Sequence, residues 1–190
     1  TPEEKNRYCD AYVTDDQRFL VIFGADATSG NKLFIKDLTK ANAPLVAILN
    51  DYSSDTSVID VKGDKLYLFT NLNAPNGKVV VTDIKNPTPE HWTDLIPESE
   101  NVLDITTAGG YILAKYTVAA LTEVKQYDFS GKFIRDIKLP SIGVAGGFSS
   151  KEDQKDTYFW FTNTCTPTSI YKLNLESGET TQYWKPSIAF

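Results

Sequence analysis

Hydrophobic positions along the chain gather into four short continuous runs, "FLVIF" (19–23), "LYLF" (66–69), "YILA" (111–114) and "YFWF" (158–161). Their first residues, Phe19, Leu66, Tyr111 and Tyr158, are spaced by 47, 45 and 47. A mixed segment follows each run: "LFIKDL", "VVVTDI", "VKQYDF" and "IYKLNL". The polar residues near their ends, Asp37, Asp83, Asp128 and Asn174, are spaced by 46, 45 and 46. Two independent markers keep one period, the signature of a repeated supersecondary unit. Each unit holds four strand-like segments rich in Val, Ile, Tyr, Phe and Thr. The first reads "CDAYVT", "RFLVIF", "KLFIKDL" and "PLVAIL"; the last reads "IGVAGGF", "TYFWFT", "IYKLNL" and "TTQYWK". Turn signals such as "TDDQ", "KGD", "NAPNG" and "LESGE" separate them, and no long segment shows helical periodicity.

Four short antiparallel strands at a period of 40–50 residues describe a β-propeller blade. The expected fold is therefore all-β: four four-stranded antiparallel blades, approximately 8–52, 56–99, 100–139 and 140–185, forming part of a propeller over residues 1–190. In a propeller each blade is pressed between neighbours, so its middle strands are expected to be buried on both faces. Four consecutive aromatics, Tyr158, Phe159, Trp160 and Phe161, suit that position. An ordinary β-sandwich, the alternative, would show one-sided alternation in these strands.

Composition narrows the function classes. The chain of 190 residues is 41% hydrophobic and 23% charged, with a net charge of −6 and no basic run, which argues against nucleic acid and anionic membranes as partners. No apolar run approaches the roughly 20 residues of a membrane span, and "TPEEKNRY" carries no signal-peptide pattern. A soluble protein, cytoplasmic or periplasmic, is expected. The absence of methionine leaves open a piece of something longer. Cys9 and Cys165 form no disulfide framework or CxxC pair, and with one histidine a zinc site is not expected. Both are expected to be free thiols, because they lie in the first and last units.

Among propeller classes, WD repeats carry Gly-His and Trp-Asp in each unit and kelch repeats carry Gly-Gly. Here no Trp-Asp occurs, and Gly109-Gly110 and Gly146-Gly147 lie 37 residues apart, out of phase with the repeat. The stretch 66–105 instead resembles the prolyl oligopeptidase family. That family has a "TN-x-x-AP" turn, a strand ending in Asp, then Asn-Pro, a Trp, a Pro-Glu turn and "VL". Thr70, Asn71, Ala74, Pro75, Asp83, Pro87, Trp92, Pro97, Glu98, Val102 and Leu103 follow that order. "VTDDQRFLVIF" looks like the family's "S-D-D-G-R-Y-L" blade start, with Gln17 at the usual Gly, and "FTNTCTPTSIYKLNLESGE" is similar to its final blade.

The resemblance implies a serine endopeptidase in which a seven-bladed propeller gates an α/β-hydrolase domain and admits short peptides cleaved after proline. These residues would be the C-terminal part of that propeller, with the hydrolase domain as partner and short proline-containing peptides as the parent's substrate. A stand-alone binding or scaffold propeller is the alternative; a lactonase-like propeller would need acids pointing into the channel. The family's G-x-S-x-G elbow has only "GGFSSK" (146–151) as its nearest likeness, where Lys151 replaces the second Gly. Ser149 reads as a turn serine and His91 as a solvated edge residue. The hydrolase domain is read as absent, and the chain alone as inactive. The family's loop after the second strand can supply a substrate-facing Arg and Cys, but the matching positions are Gly24 and Ala27.

No catalytic, cofactor-binding or metal-ligating residue is therefore assigned, and no cofactor. Asp15, Asp16 and Asp64 suit turns better than calcium, since no D-x-D-x-D-G spacing occurs. Asp37, Asp83 and Asp128 read as recurring turn locks, and Trp92 and Trp184 as residues of outermost strands. The units carrying "FLVIF" and "YFWF" each lack one neighbour, so the isolated chain is expected to self-associate.

Overall fold

The computed structural model describes residues 7–187. Four antiparallel meanders, each in simple sequential order, account for the regular structure of the described residues. The first comprises β1 (Tyr8–Val13), β2 (Phe19–Ala25), β3 (Lys32–Asp37) and β4 (Leu45–Leu49). The second comprises β5 (Thr56–Lys62), β6 (Lys65–Thr70), β7 (Lys78–Asp83) and β8 (Thr93–Ile96). The third comprises β9 (Val102–Ala108), β10 (Tyr111–Val118), β11 (Leu121–Tyr127) and β12 (Phe133–Asp136). The fourth comprises β13 (Val144–Gly147), β14 (Asp156–Asn163), β15 (Thr166–Asn174) and β16 (Thr180–Trp184). The chain divides into two compact units, Thr1–Glu98 and Ser99–Phe190, with two sheets in each.

Sheet-on-sheet burial organises each unit. In the first, Phe19, Val21, Leu33 and Ile35 of the first sheet interlock with Val61, Leu66, Leu68 and Val80 of the second. In the second unit, Ala108, Leu113 and Val124 of the third sheet meet Ala145, Phe159, Phe161 and Leu173 of the fourth. Phe148 stacks on Phe159 with ring centroids 4.6 Å apart and planes 11° from parallel.

Burial of the middle strands on both faces holds for two of the sheets. In β6, Leu66, Tyr67 and Leu68 are all buried, and in β10 so are Ile112, Leu113 and Ala114. The fourth sheet departs from the expectation. Along β14, Thr157, Phe159 and Phe161 are buried while Tyr158 and Trp160 are exposed. The four aromatics thus alternate, because the strand's second face has no sheet against it among the described residues. In β2 the inward Phe19 and Val21 are buried and Leu20 and Ile22 only partly so.

Two local placements also differ from the sequence reading. His91 closes a single 3-10 turn (Pro89–His91) instead of starting β8. Trp92 precedes β8 and donates its indole N–H to the Pro87 carbonyl at 2.7 Å, half-buried on the first unit's core. Gln17, at the family's glycine position, has φ +59°, so the turn itself demands a left-handed residue there.

The β10–β11 hairpin stores strain. Val118 pairs with Leu121, leaving a two-residue loop of Ala119 (φ +48°) and Ala120 (φ +65°). Both central residues of such a turn need positive φ, where alanine's Cβ is crowded and Asn-Gly is favoured. Replacing Ala119-Ala120 with Asn-Gly is expected to raise stability by about 1 kcal/mol. A urea midpoint that rises at unchanged slope would show it; an unchanged midpoint would mean the turn is unstrained.

Candidate functional site

The first unit contains a cleft of about 290 Å³ at the tip of the β2–β3 hairpin. Its walls are largely apolar, from Tyr12, Phe23, Ala25, Ala27 and Leu33, with Asn31, Asp55 and Thr56 along one side. Ala27, one of the two positions matched to substrate-facing residues, therefore lies on a cleft. Gly24 does not line it; it sits opposite Cys9 in the β1–β2 ladder.

A polar latch holds the cleft's shape. Asp55 Oδ1 accepts from the Gly30 N–H at 2.7 Å, and Asp55 Oδ2 accepts from Asn71 Nδ2 at 2.9 Å. In return Asn71 Oδ1 accepts from the Asp55 N–H at 2.7 Å. Asn31 Oδ1 accepts from the Thr56 N–H at 2.8 Å, and its Nδ2 donates to the Thr56 carbonyl at 2.9 Å. Beneath them run the buried hydroxyls of Ser54, Thr56 and Thr70, with Thr56 and Thr70 2.8 Å apart. Thr70 and Asn71, the start of the "TN-x-x-AP" turn, are thus structural: they fasten the start of β5 to the end of β6. With the Asp55 carboxylate and the Asn31 and Asn71 amides engaged in the latch, the cleft offers shape and a largely apolar surface.

Asp55 and Asn31 were not singled out from the sequence, where Asn31 shows only as the end of the turn segment "SGN" and Asp55 lies in no marked motif. The Asn at 71 was the usable clue, since an amide in a sharp turn needs a partner of matched geometry.

The recurring Asp and Asn positions also have a physical role. Asp37 Oδ1 accepts from the Thr39 N–H at 2.9 Å, Asp83 Oδ1 from the Lys85 N–H at 2.8 Å and Asp128 Oδ1 from the Ser130 N–H at 2.8 Å. Asn174 Oδ1 accepts from the Ser177 N–H at 2.8 Å. Each side chain locks the turn between the third and fourth strands of its sheet, so the period is written in turn chemistry as well as in core residues. The hydroxyl of Thr39, then Lys40 and the Thr39 N–H, hold the Asp37 carboxyl down to about 2. The Ser130 hydroxyl lowers Asp128 in the same way.

Of the other aspartates, Asp16 accepts from the Arg18 N–H at 3.0 Å. Asp64 pairs with Lys85 at 3.1 Å. Among the described residues no three His, Cys, Asp or Glu side chains are grouped to hold a metal ion. Ser149 is exposed in the turn before β14, and its carbonyl accepts from the Thr157 hydroxyl at 3.1 Å. Exposed His91 lies 3.3 Å from the Thr88 hydroxyl through Nδ1. Cys9 and Cys165 are free and exposed.

Comparison with known proteins places these features. Residues 1–186 match the family described as prolyl oligopeptidase, N-terminal β-propeller domain. The prolyl endopeptidase of Elizabethkingia meningoseptica is 48% identical over 184 residues, covering 97% of this chain and 26% of that protein. That of Elizabethkingia miricola is 45% identical over 184 residues, with the same coverage. Among solved structures, one from a study of two prolyl endopeptidases superposes with a TM-score of 0.87 at 24% identity, covering 95% of this chain and 26% of that one. Prolyl oligopeptidase B from Galerina marginata, bound to a 35mer hydrolysis and macrocyclization substrate, also gives 0.87, at 22% identity over 98% of this chain and 27% of that one. The chain thus spans about a quarter of the length of these relatives.

Proposed function

The chain belongs to the prolyl oligopeptidase N-terminal β-propeller family, and from that premise we propose that it is the non-catalytic, substrate-gating portion of a serine endopeptidase that cleaves short peptides after proline. The observation that carries the reading is a family match over residues 1–186 in a sequence with no G-x-S-x-G elbow. A nucleophilic serine needs a base within hydrogen-bond reach and an oxyanion hole. Ser149 has neither a strained strand–helix turn nor a helix behind it. Chemistry would then come from an α/β-hydrolase domain as partner, with the propeller limiting which peptides reach it. Among the described residues no helix is long and apolar enough to cross a membrane.

Gating gives the latch its purpose. A cap that sorts peptides by size must keep its rim in one shape, and the Asn31–Asp55–Asn71 network fixes one hairpin tip at the backbone level. The Arg and Cys that relatives can place on this loop are missing, and the Ala27 wall would offer only apolar contact.

The purified chain is expected to release no chromophore from a Gly-Pro chromogenic peptide. Turnover that survives repurification and is abolished by Ser149→Ala would overturn the non-catalytic assignment. The gene downstream of Phe190 supplies an independent check: a G-x-S-x-G followed by Asp and His supports the reading, and an immediate stop codon contradicts it.

A further inference from the structure

The chain contains a single Asn-Gly pair, Asn76-Gly77, and the fold places it at the tip of the β6–β7 hairpin. An asparagine before glycine is prone to modify itself, because glycine has no Cβ to keep its amide nitrogen from the preceding side chain and moves freely in φ. The chemistry needs only base and water. Gly77 N gives its proton to base and attacks Cγ of Asn76. The bond from Cγ to the side-chain nitrogen breaks, and ammonia leaves with a proton taken from water. The remaining succinimide then adds water. Opening at the side-chain carbonyl gives aspartate; opening at the main-chain carbonyl gives isoaspartate, whose backbone runs through the extra methylene.

Two contacts oppose the first step. Ala74, 1% exposed, begins a turn through Pro75 and Asn76, and its carbonyl accepts from the Gly77 N–H at 2.7 Å. Pro at the second place and Gly at the fourth suit such a turn, and Gly77 is buried with φ +85°. Losing the Gly77 proton would break that bond and set an amide anion against a carbonyl lone pair. The second contact comes from across the sheet. Val79 pairs with Ile96 in the β7–β8 ladder, so the residues just beyond Ile96 run beside those just before Val79. There the Glu98 carboxylate accepts from the Asn76 N–H at 2.8 Å. It ties down the reacting residue, and its charge disfavours a second negative charge forming one residue along.

We infer that Asn76 is a self-modification site whose conversion to aspartate and isoaspartate is held back in the folded chain by the Ala74 turn and the Glu98 clasp. The rate is then set by how often this tip opens. Conversion also undoes its own restraint. Aspartate at 76 brings a second carboxylate towards Glu98, and isoaspartate lengthens the backbone inside the turn. The same hairpin tip carries Asn71, which holds Asp55 in the latch, so loosening here reaches the β2–β3 tip. Any effect on peptide admission rests on the gating reading; the modification itself does not, and its test reads mass, not activity.

The test is peptide mapping by mass spectrometry of the 190-residue chain, incubated at mildly alkaline pH either native or unfolded in guanidinium chloride. Conversion appears as the mass gain of an amide-to-acid exchange in the peptide holding residue 76, with isoaspartate separated from aspartate by retention time. In the unfolded chain Asn76 should convert faster than every other asparagine. In the native chain it should be slower by about tenfold or more. Glu98→Ala should raise the native rate about fivefold, the effect of losing one exposed hydrogen bond to a charged group, and leave the unfolded rate unchanged. Glu98→Gln, which keeps an acceptor without the charge, should raise it less, and it carries the test if the alanine variant loses its circular dichroism. A native rate equal to the unfolded rate would overturn the proposal. So would a native rate untouched by either Glu98 variant, or another asparagine that leads in the unfolded chain.

Discussion

Truncating Phe159 to alanine is expected to cost about 3–5 kcal/mol, whereas truncating Tyr158, its neighbour in the same strand, should cost less than about 1 kcal/mol. Phe159 is 1% exposed. It stacks on Phe148 on one side and on Tyr171 on the other, with centroids 4.6 and 5.5 Å away. Its removal forfeits the transfer energy of a ring and leaves a cavity that β-ladders on both sides keep from collapsing. Tyr158 points to the opposite face and touches Tyr183 edge-on; its truncation loses one aromatic contact and little buried area. Urea denaturation of both variants beside the unsubstituted chain, repeated at two protein concentrations, checks the ranking free of any contribution from association. Equal losses would mean that both faces of β14 are buried after all.

Gly30→Ala should destabilise by about 3 kcal/mol or more, against about 1 kcal/mol for Gly63→Ala. Both glycines have positive φ, +79° and +61°, so both substitutions incur the left-handed penalty. Around them the space differs. A Cβ at Gly30 would sit 2.1 Å from the Tyr52 carbonyl oxygen, whereas at Gly63 it would meet nothing within 4 Å. The obstacle at Gly30 is backbone, which cannot swing aside. The hairpin tip must move, and with it the Gly30 N–H that Asp55 accepts at 2.7 Å. Asn71→Ala, which removes both side-chain hydrogen bonds to Asp55 but keeps the Asn71 N–H to Asp55 carbonyl bond and the backbone path, should fall between the two. Thermal or urea unfolding of the three variants ranks them. A Gly30→Ala protein as stable as Gly63→Ala would show the β2–β3 tip to be loosely held.

The repeat was legible because two kinds of residue keep the same period for different physical reasons. Core strands need continuous apolar runs, and the turn after each third strand needs a short side-chain acceptor. Asp37, Asp83, Asp128 and Asn174 could therefore be placed without any knowledge of contacts, and each locks its turn through a backbone N–H. Face-by-face burial was not legible in the same way. "LYLF" and "YFWF" look equally apolar, but what covers a strand's second face is decided by sheets distant in sequence. Leu66, Tyr67 and Leu68 are buried together, while Tyr158 and Trp160 stay open. The latch was half-visible. Asn71 belonged to a recognisable turn, but its partner Asp55 lies sixteen residues earlier with no motif to mark it, and Asn31 lies further off. His91 and Trp92 were displaced by one short 3-10 turn, which Pro89 at its first position starts and which is too brief to leave a periodic signal.

The central claim is that these residues gate peptides and take no part in the chemistry. The most direct measurement exchanges this chain for the matching 184 residues of the Elizabethkingia meningoseptica prolyl endopeptidase, 48% identical to it, and compares the chimera with its parent. Cleavage of a Gly-Pro chromogenic peptide should stay within about tenfold of the parent in kcat/KM, and an unfolded protein of many kilodaltons should remain uncut by both. A folded chimera that cleaves the short peptide yet degrades the long chain would contradict the gating role. One that has lost all activity towards the short peptide would contradict the assignment of this chain to such an enzyme.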